Sequence, residues 1–345
     1  QKMKTYIGLD VGSVSIKLAR IDEHENLINS IYLRNCGLIE TVKKGLELIN
    51  DDSEVSGIGV TGSGRKFVGM FVGADLIKTE ILAHSVGTLS YYPDVRTLMD
   101  IGGEDSKLMI LHRGILESFR LNSICSAGTG SFLESIAGRM GIRIEDVGDI
   151  ALRSRQRLDF PSKCGVFTQS AVVSKKNTGA SKEDILMGVC RSLVCNYLTM
   201  AKGISLEPPY VFQGATARNR AIVSAFEEEL GHEVIVPEYC DIMGAIGIAI
   251  MVKRTAPAET NFKGYSLFER DYQTRTQIAN GCANHCELTM LFENGQYAGC
   301  IGNKCSKCAR YIELEDYAMS IGKEGFHPPC GLAHVSSSVS PLVDI

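Results

Sequence analysis

Residues 6–22 read YIGLDVGSVSIKLARID, and residues 97–111 read TLMDIGGEDSKLMIL. In each stretch an apolar run is interrupted by an Asp-x-Gly turn and then resumes, which predicts a strand, a tight turn and a second strand. Between residues 57 and 251, strand-like runs alternate with stretches of helical periodicity, and helices are predicted at residues 77–89, 131–140 and 184–202. The sequence therefore predicts an α/β architecture built twice, with one half before about residue 97 and a second half that ends near residue 254.

Length and charge exclude several classes of function. The 345 residues suffice for two or three compact units, and the formal net charge of -4 offers no basic field for nucleic acid. No apolar run reaches the roughly 18–20 residues of a membrane-spanning helix, and the first five residues lack the layout of a signal peptide. We expect a cytoplasmic protein without membrane or nucleic-acid partners, whose twelve cysteines stay reduced and available for metal or redox chemistry.

The two Asp-x-Gly turns combine the features of a triphosphate site. Such a site needs backbone amides that face the phosphates, small residues that allow close approach, and a carboxylate for the metal ion. One such turn is ordinary, but two at equivalent places in two halves favour a nucleotide site. The residues concerned are Asp10, Gly12, Ser13, Ser15 and Lys17 in the first turn, and Asp100, Gly102, Gly103 and Glu104 in the second.

Two further segments extend this pattern: Gly214-Ala215-Thr216-Ala217-x-Asn219, and the small-residue stretch Gly244-Ala245-Ile246-Gly247. With the two turns, in this order, they resemble the sugar kinase, actin and Hsp70 superfamily, whose two ribonuclease H-like lobes close over ATP. The resemblance covers about residues 4–254. It departs at Gln213, where many members have the first of two glycines.

The superfamily resemblance implies domains and roles. It implies a first lobe at 3–96 and a second at 97–254. After them the alternation of helix and strand patterns stops and cysteines become frequent, which suggests a cysteine-rich extension at 255–345. By resemblance, Asp10 holds Mg²⁺ directly or through water, and Asp100 is its counterpart in the second turn. Glu104 is our candidate to orient the attacking water, either as a general base or by position alone. The implied nucleotide contacts are Gly12, Ser13, Ser15, Lys17, Gly102, Gly103, Gly214, Ala215 and Asn219.

Two cysteine segments narrow the resemblance to one family. The stretch NSICSAGTGSFLE, residues 122–134, is similar to the Cys-Ala-Gly-Thr-Gly signature of 2-hydroxyacyl-CoA dehydratase activators, with Ser126 inserted before the alanine. Cys164-Gly165-Val166-Phe167-Thr168 resembles the second cysteine site of that family. A cubane cluster takes four thiolates, and helix N-termini next to the cysteines would favour its negative charge. Cys125 and Cys164 from each of two chains supply that number.

The family resemblance implies an electron-transfer function. One [4Fe-4S] cluster per homodimer, held by Cys125 and Cys164, would be reduced by ferredoxin or flavodoxin. ATP hydrolysis would then drive the electron to a partner 2-hydroxyacyl-CoA dehydratase or a related reductase. A small-molecule kinase of the same superfamily and a non-redox ATP-dependent scaffold are the alternatives. The first lacks an acceptor motif here, and the second leaves Cys125 and Cys164 unexplained.

The end of the chain contains a separate cysteine cluster. Its close spacing is typical of a thiolate metal site, and zinc, a second iron-sulfur cluster and unligated thiols all remain open. The segment also resembles the cysteine-rich stretch of longer fused activases, which implies that the chain is a piece of a larger polypeptide. The cysteines are Cys282, Cys286, Cys300, Cys305 and Cys308.

Overall fold

The computed structural model describes residues 2–51, 53–122, 126–278 and 285–302. They divide into two compact units: one contains the described residues up to Val68 and those from Ala74 to Phe262, and the other contains Gly69–Gly73 and the described residues from Lys263 onward. The domain limits expected from sequence, at 96/97 and 254/255, stay predictions.

The described strands and helices follow one another as in the two-fold repeat that the sequence predicts. In the first half they are β1 Lys4–Val11, β2 Ser15–Ile21, β3 Leu27–Arg34, α1 Leu38–Ile49, β4 Glu54–Thr61, α2 Arg65–Val72, β5 Leu76–Ile77 and α3 Glu80–Tyr91. In the second half they are β6 Thr97–Ile101, β7 Ser106–His112, β8 Ile115–Asn122, α4 Gly130–Arg139, α5 Val147–Ala151, α6 Gly165–Asn177, α7 Lys182–Leu198, β9 Tyr210–Gln213, α8 Arg220–Leu230, β10 Val234–Ile235 and α9 Met243–Thr255. The second unit contains β11 Tyr272–Ile278, β12 Glu287–Glu293 and β13 Gln296–Ile301.

Each half of the first unit is built on a sheet with the same strand order. Among the described residues, the first sheet runs β3-β2-β1-β4-β5 and the second runs β8-β7-β6-β9-β10. In both, the first strand of the half pairs antiparallel with the next strand and parallel with a later one. The parallel pairs require crossover connections, which contain the helices. The repeated α/β architecture is therefore confirmed.

Close helix packing joins the first sheet to the end of the second half. Helix α9 lies against β1 and β4, and α3 lies against α9. A Cβ at Gly8 would come within 2.0 Å of the Ala245 carbonyl oxygen, so β1 and α9 approach backbone to backbone. A Cβ at Gly247 would come within 1.8 Å of the Ala83 carbonyl oxygen at the crossing with α3. The small-residue stretch thus brings α3 and α9 together beneath the ends of β1 and β4.

A large apolar cluster stabilises the second half. It contains residues of β6, β7 and β9 and of helices α4, α5, α7 and α8, with Phe212, Phe226 and Leu193 fully buried. Each such side chain contributes roughly 1.5–3 kcal/mol through removal from water. This core fixes β6 and β9 against the helices, so their C-terminal ends have defined positions.

The second unit is an antiparallel sheet of β11, β12 and β13 among the described residues. Cys286, Leu288 and Met290 share one apolar cluster, and Cys300 packs against it opposite Met290. None of the helices that the structure describes has the length and apolar character needed to cross a bilayer.

Candidate functional site

A cavity of about 630 Å³ opens where strands β1, β6 and β9 end. The C-terminal ends of parallel strands are the usual place for a ligand in α/β folds. Every residue that the sequence analysis assigned to nucleotide binding or catalysis lines this cavity. They are Asp10, Gly12, Ser13, Ser15, Lys17, Asp100, Gly102, Gly103, Glu104, Gly214, Ala215 and Asn219.

The two turns of the repeat have matching geometry. The amide N–H of Gly12 donates to the Ser15 carbonyl at 3.0 Å, and the N–H of Gly102 donates to the Asp105 carbonyl at 2.9 Å. Seven residues after its aspartate, each half carries a lysine. Lys17 Nζ lies 3.2 Å from Asp10 Oδ2, and Lys107 Nζ lies 3.2 Å from Asp100 Oδ2. The repeat therefore includes Lys107, which the sequence analysis did not assign to the site.

The two lysines differ in their surroundings. Lys107 Nζ also lies 2.9 Å from Asp105 Oδ1 and 3.5 Å from Glu80 Oε2, and its side chain is only 4% exposed. Lys17 pairs with Asp10 alone among the described acidic residues, and its side chain is 17% exposed. The positive charge of Lys107 is thus neutralised by carboxylates of the protein. The ammonium group of Lys17 has fewer such partners and can donate to a ligand in the cavity.

The two aspartates at the strand ends are anionic. Burial raises the pKa of Asp10, but Lys17, His84 and Lys107 together outweigh it and hold that pKa below its ordinary value. Burial also raises the pKa of Asp100, and His84 and Lys107 lower it further than burial raises it. Carboxylate oxygens are the ligands that Mg²⁺ prefers, and Mg²⁺ takes one or two of them together with phosphate oxygens and water. The two side chains therefore fit a metal-nucleotide complex.

His84 of α3 lies between the two aspartates. Its Nε2 is 4.0 Å from Asp10 Oδ2, and its Nδ1 is 4.0 Å from Asp100 Oδ1. The ring lines the cavity and is 6% exposed. The sequence analysis did not assign His84 to the site.

The segment after β9 forms the far wall of the cavity. Gly214 has φ +89°, and a Cβ there would lie 2.4 Å from the Ile101 carbonyl oxygen, so this position requires glycine. Asn219 Oδ1 caps α8 by accepting from the N–H groups of Ala221 and Ile222 at 3.0 and 3.3 Å. Its amide Nδ2 is buried and has no hydrogen-bond partner among the described residues. That nitrogen is a donor suited to an acceptor atom of a ligand.

The cysteine predictions divide between described and undescribed residues. Cys125, Cys282, Cys305 and Cys308 lie outside the described residues. Cys164 is partly exposed and directly precedes α6, while Cys286 is 2% exposed and packs with Cys300 in the apolar cluster of the second unit. Within the described ranges, no three His, Cys, Asp or Glu side chains converge on a metal position. The metal-ligand roles of these cysteines stay predictions.

The comparisons with known proteins all indicate the same protein family. The model of the BadF/BadG/BcrA/BcrD ATPase family matches residues 7–252. The chain is 28% identical over 255 residues to the (R)-2-hydroxyglutaryl-CoA dehydratase activating ATPase of Acidaminococcus fermentans, covering 72% of this chain and 97% of that protein. It is similar to the solved activator of 2-hydroxyisocaproyl-CoA dehydratase from Clostridium difficile with bound ADPNP, at 30% identity and TM-score 0.68, over 73% of this chain and 95% of that one.

A more distant likeness concerns the fold alone. The ROK family glucokinase of Streptomyces griseus matches with TM-score 0.50 at 11% identity, over 72% of this chain and 99% of that chain. The predicted fold of two ribonuclease H-like lobes is confirmed by this likeness and by the similarity to the solved activator.

Proposed function

Because the chain belongs to the BadF/BadG/BcrA/BcrD ATPase family, we propose that it is an ATP-dependent activator that passes electrons from a [4Fe-4S] cluster to a partner enzyme. The partner is a 2-hydroxyacyl-CoA dehydratase or a related reductase, the class named for its relatives. Ferredoxin or flavodoxin supplies the electron, and the reaction takes place in the cytoplasm. ATP hydrolysis makes the transfer to the partner favourable.

One observation carries this proposal: the second turn is bonded to the helix that follows Cys125. The first two N–H groups of α4, of Gly130 and Ser131, donate to the carbonyls of Gly102 and Gly103 at 2.9 and 2.8 Å. Gly130 stands five residues after Cys125 in the chain. A nucleotide that reorients the second turn would therefore displace the start of α4. This is the kind of two-state element that a nucleotide-driven switch requires.

The nucleotide chemistry follows from the cavity. Asp10 would hold Mg²⁺, with Asp100 on the opposite side, while the amides of Ser13 and Gly103 and the ammonium group of Lys17 would contact phosphate oxygens. Bound Mg²⁺ would neutralise charge on the transferred phosphoryl group. The side chain of Glu104 is exposed at the cavity wall and would orient the attacking water.

Geometry around Cys164 supports the cluster assignment. Cys164 is the N-cap of α6, a 13-residue helix, so its thiolate would lie at the positive end of the helix dipole. A Cβ at the next residue, Gly165, would be 3.6 Å from the Ala127 Cβ, and Ala127 follows Cys125 by two positions. The two cysteine segments therefore adjoin. Two copies of the chain would supply four thiolates, so the cluster requires a homodimer.

Metal analysis of the protein purified without oxygen tests the proposal. We expect about four iron and four sulfide per dimer, visible absorption that changes with ATP, and phosphate release without any phosphorylated acceptor. Cys125→Ser and Cys164→Ser should lose iron, whereas Cys36→Ser, at an exposed cysteine far from either segment in sequence, should keep it. Full iron content in Cys125→Ser would refute the cluster assignment. Zinc that stays bound in both variants would be assigned to the C-terminal cysteines.

A further inference from the structure

His84 is the buried side chain whose ring contacts groups from both halves of the first unit. Asp10 comes from the end of β1, in the first sheet, whereas Asp100 and Gln213 come from the ends of β6 and β9, in the second. The ring stands between them with one nitrogen toward each aspartate, both at 4.0 Å. Because two carboxylates in one site repel each other, the group between them decides how far apart they rest.

A clamp from the second sheet fixes the orientation of this ring. The side-chain amide nitrogen of Gln213 is 2.7 Å from His84 Nδ1, and its amide oxygen accepts from the Thr88 hydroxyl at 2.8 Å. Thr88 is one turn after His84 on α3, so both ends of the clamp start from the same helix. Gln213 is completely buried and does not line the cavity. Its amide therefore acts on the site through His84.

The His84 ring lies close to the backbone of α9 at Gly244. A Cβ at Gly244 of α9 would lie 2.8 Å from His84 Nε2 and 3.0 Å from Asp10 Oδ2. Only a glycine at this position allows the imidazole and the carboxylate to share the space above α9.

We propose that His84, held by Gln213, is a positioning residue that sets the separation of Asp10 and Asp100 and thereby the fit of the metal-bound phosphates. The proposal rests on the proposed function, because it assumes that the cavity takes a magnesium-nucleotide complex. His84 acts on the carboxylates and not on the base or sugar. Its removal should therefore weaken the contribution of the metal to binding and leave metal-free binding almost intact.

Calorimetric titration measures the contribution of the metal directly when ADP is titrated once in the presence of Mg²⁺ and once in the presence of a chelator instead of Mg²⁺. In His84→Ala, the factor by which Mg²⁺ tightens ADP should fall about tenfold, the scale seen when groups that orient metal ligands are removed. Metal-free ADP affinity should stay within about twofold. Gln213→Ala, which leaves the ring in place but unclamped, should show the same selective loss to a smaller extent. Ser85→Ala is the matched control, since Ser85 is buried on the same helix and, among the described residues, its hydroxyl bonds to Ile81 of that helix and to Met109.

Three results would overturn the proposal. Equal weakening with and without Mg²⁺ would make His84 a general core residue, and an unchanged Mg²⁺ factor in both variants would show that it does not position the aspartates. If His84→Ala does not fold, Gln213→Ala decides between these outcomes. Wild-type protein whose ADP affinity ignores Mg²⁺ would refute the magnesium-nucleotide complex that the proposed function assumes, and this result is distinguishable because it appears before any substitution.

Discussion

Lys107 and Lys17 occupy equivalent places in the two turns, and their replacement by methionine should affect stability very differently. Methionine keeps the unbranched stem of lysine and removes the charge. Lys107 is 4% exposed and has carboxylate oxygens of Asp105, Asp100 and Glu80 at 2.9, 3.2 and 3.5 Å. Without Lys107, these three carboxylates lose the cation that all of them share.

The magnitude follows from the geometry. One ion pair at 3.2 Å is worth about 5 kcal/mol at an effective dielectric of about 20, before the cost of burying the lysine is subtracted. Loss of one partner from a buried pair typically costs about 3–5 kcal/mol, because the other charge stays buried and uncompensated. We expect that loss for Lys107→Met. For Lys17→Met, with one carboxylate and a more exposed side chain, we expect roughly 1–2 kcal/mol, between the surface and the buried cases.

The pH dependence has a definite sign. Lys107 helps hold the pKa of Asp100 below its ordinary value, so in the wild type Asp100 stabilises the fold at neutral pH and loses this effect as the pH falls through its folded-state pKa. In Lys107→Met that pKa rises, and the pKa of Glu80, which burial already raises, rises further. The deficit in unfolding free energy should therefore be largest near neutral pH and shrink as acid neutralises the carboxylates.

Urea denaturation of both variants at about pH 7.5 and about pH 5 measures these quantities through the midpoint and slope of unfolding. A deficit for Lys107→Met that is equal at both pH values would show that the lost charge is not its cause. A cost for Lys17→Met as large as that for Lys107→Met would refute the argument that the two lysines differ in pairing.

Three further predictions concern packing, thiols and a surface ion pair. Gly247→Ala places a Cβ against the Ala83 carbonyl oxygen and should cost about 1–3 kcal/mol in thermal unfolding, whereas Gly138→Ala, where a Cβ meets nothing within 4 Å, should stabilise by about 0.5–1 kcal/mol. Burial raises the pKa of Cys190 to about 12 and that of Cys240 to about 11, so in the native protein iodoacetamide should label exposed Cys36 well before either, as mass spectrometry of digests would show. The Arg34 and Glu134 ion pair joins β3 to α4 at the cavity mouth but is solvent-exposed, so a double-mutant cycle should give a coupling below about 1 kcal/mol that disappears in high salt.

Local sequence pattern predicted the elements that enclose the cavity. The helix expected at 131–140 is α4, Gly130–Arg139, and the one expected from Asp184 is α7, which begins two residues earlier and ends at Leu198 rather than Lys202. Helical periodicity through residues 77–89 was only partly right. Leu76–Ile77 is a two-residue strand, β5, that pairs with β4, and the helix starts at Glu80. Pairing with a distant strand outweighs local periodicity in such short segments.

Strands β3 and β8 and helix α1 are among the described elements that the sequence analysis did not predict. Strands β3 and β8 lie at the edges of their sheets, and their side chains are mostly exposed or half-buried on both faces. Such strands lack the alternation of buried and exposed positions that reveals a half-buried strand. Helix α1 does carry a helical signal, since Val42, Leu46 and Ile49 are buried at a spacing of three and four residues. The sequence itself therefore contains a signal for α1.

Some residues of the site could be predicted because they occupy equivalent positions in the two halves of the sequence. Others come together only in the folded chain and could not be predicted. Lys107 could have been assigned from sequence, because it follows Asp100 by the seven residues that separate Lys17 from Asp10. No spacing relates His84 on α3 to Gln213 at the end of β9, 129 positions apart. Their contact exists because β9 pairs with β6 and so places Gln213 beside Asp100, while the glycines of α9 admit α3 close beneath β1. The part of the site that we propose binds phosphates is thus repeated in the sequence, whereas the position of His84 between the two copies is set by the packing of the lobes.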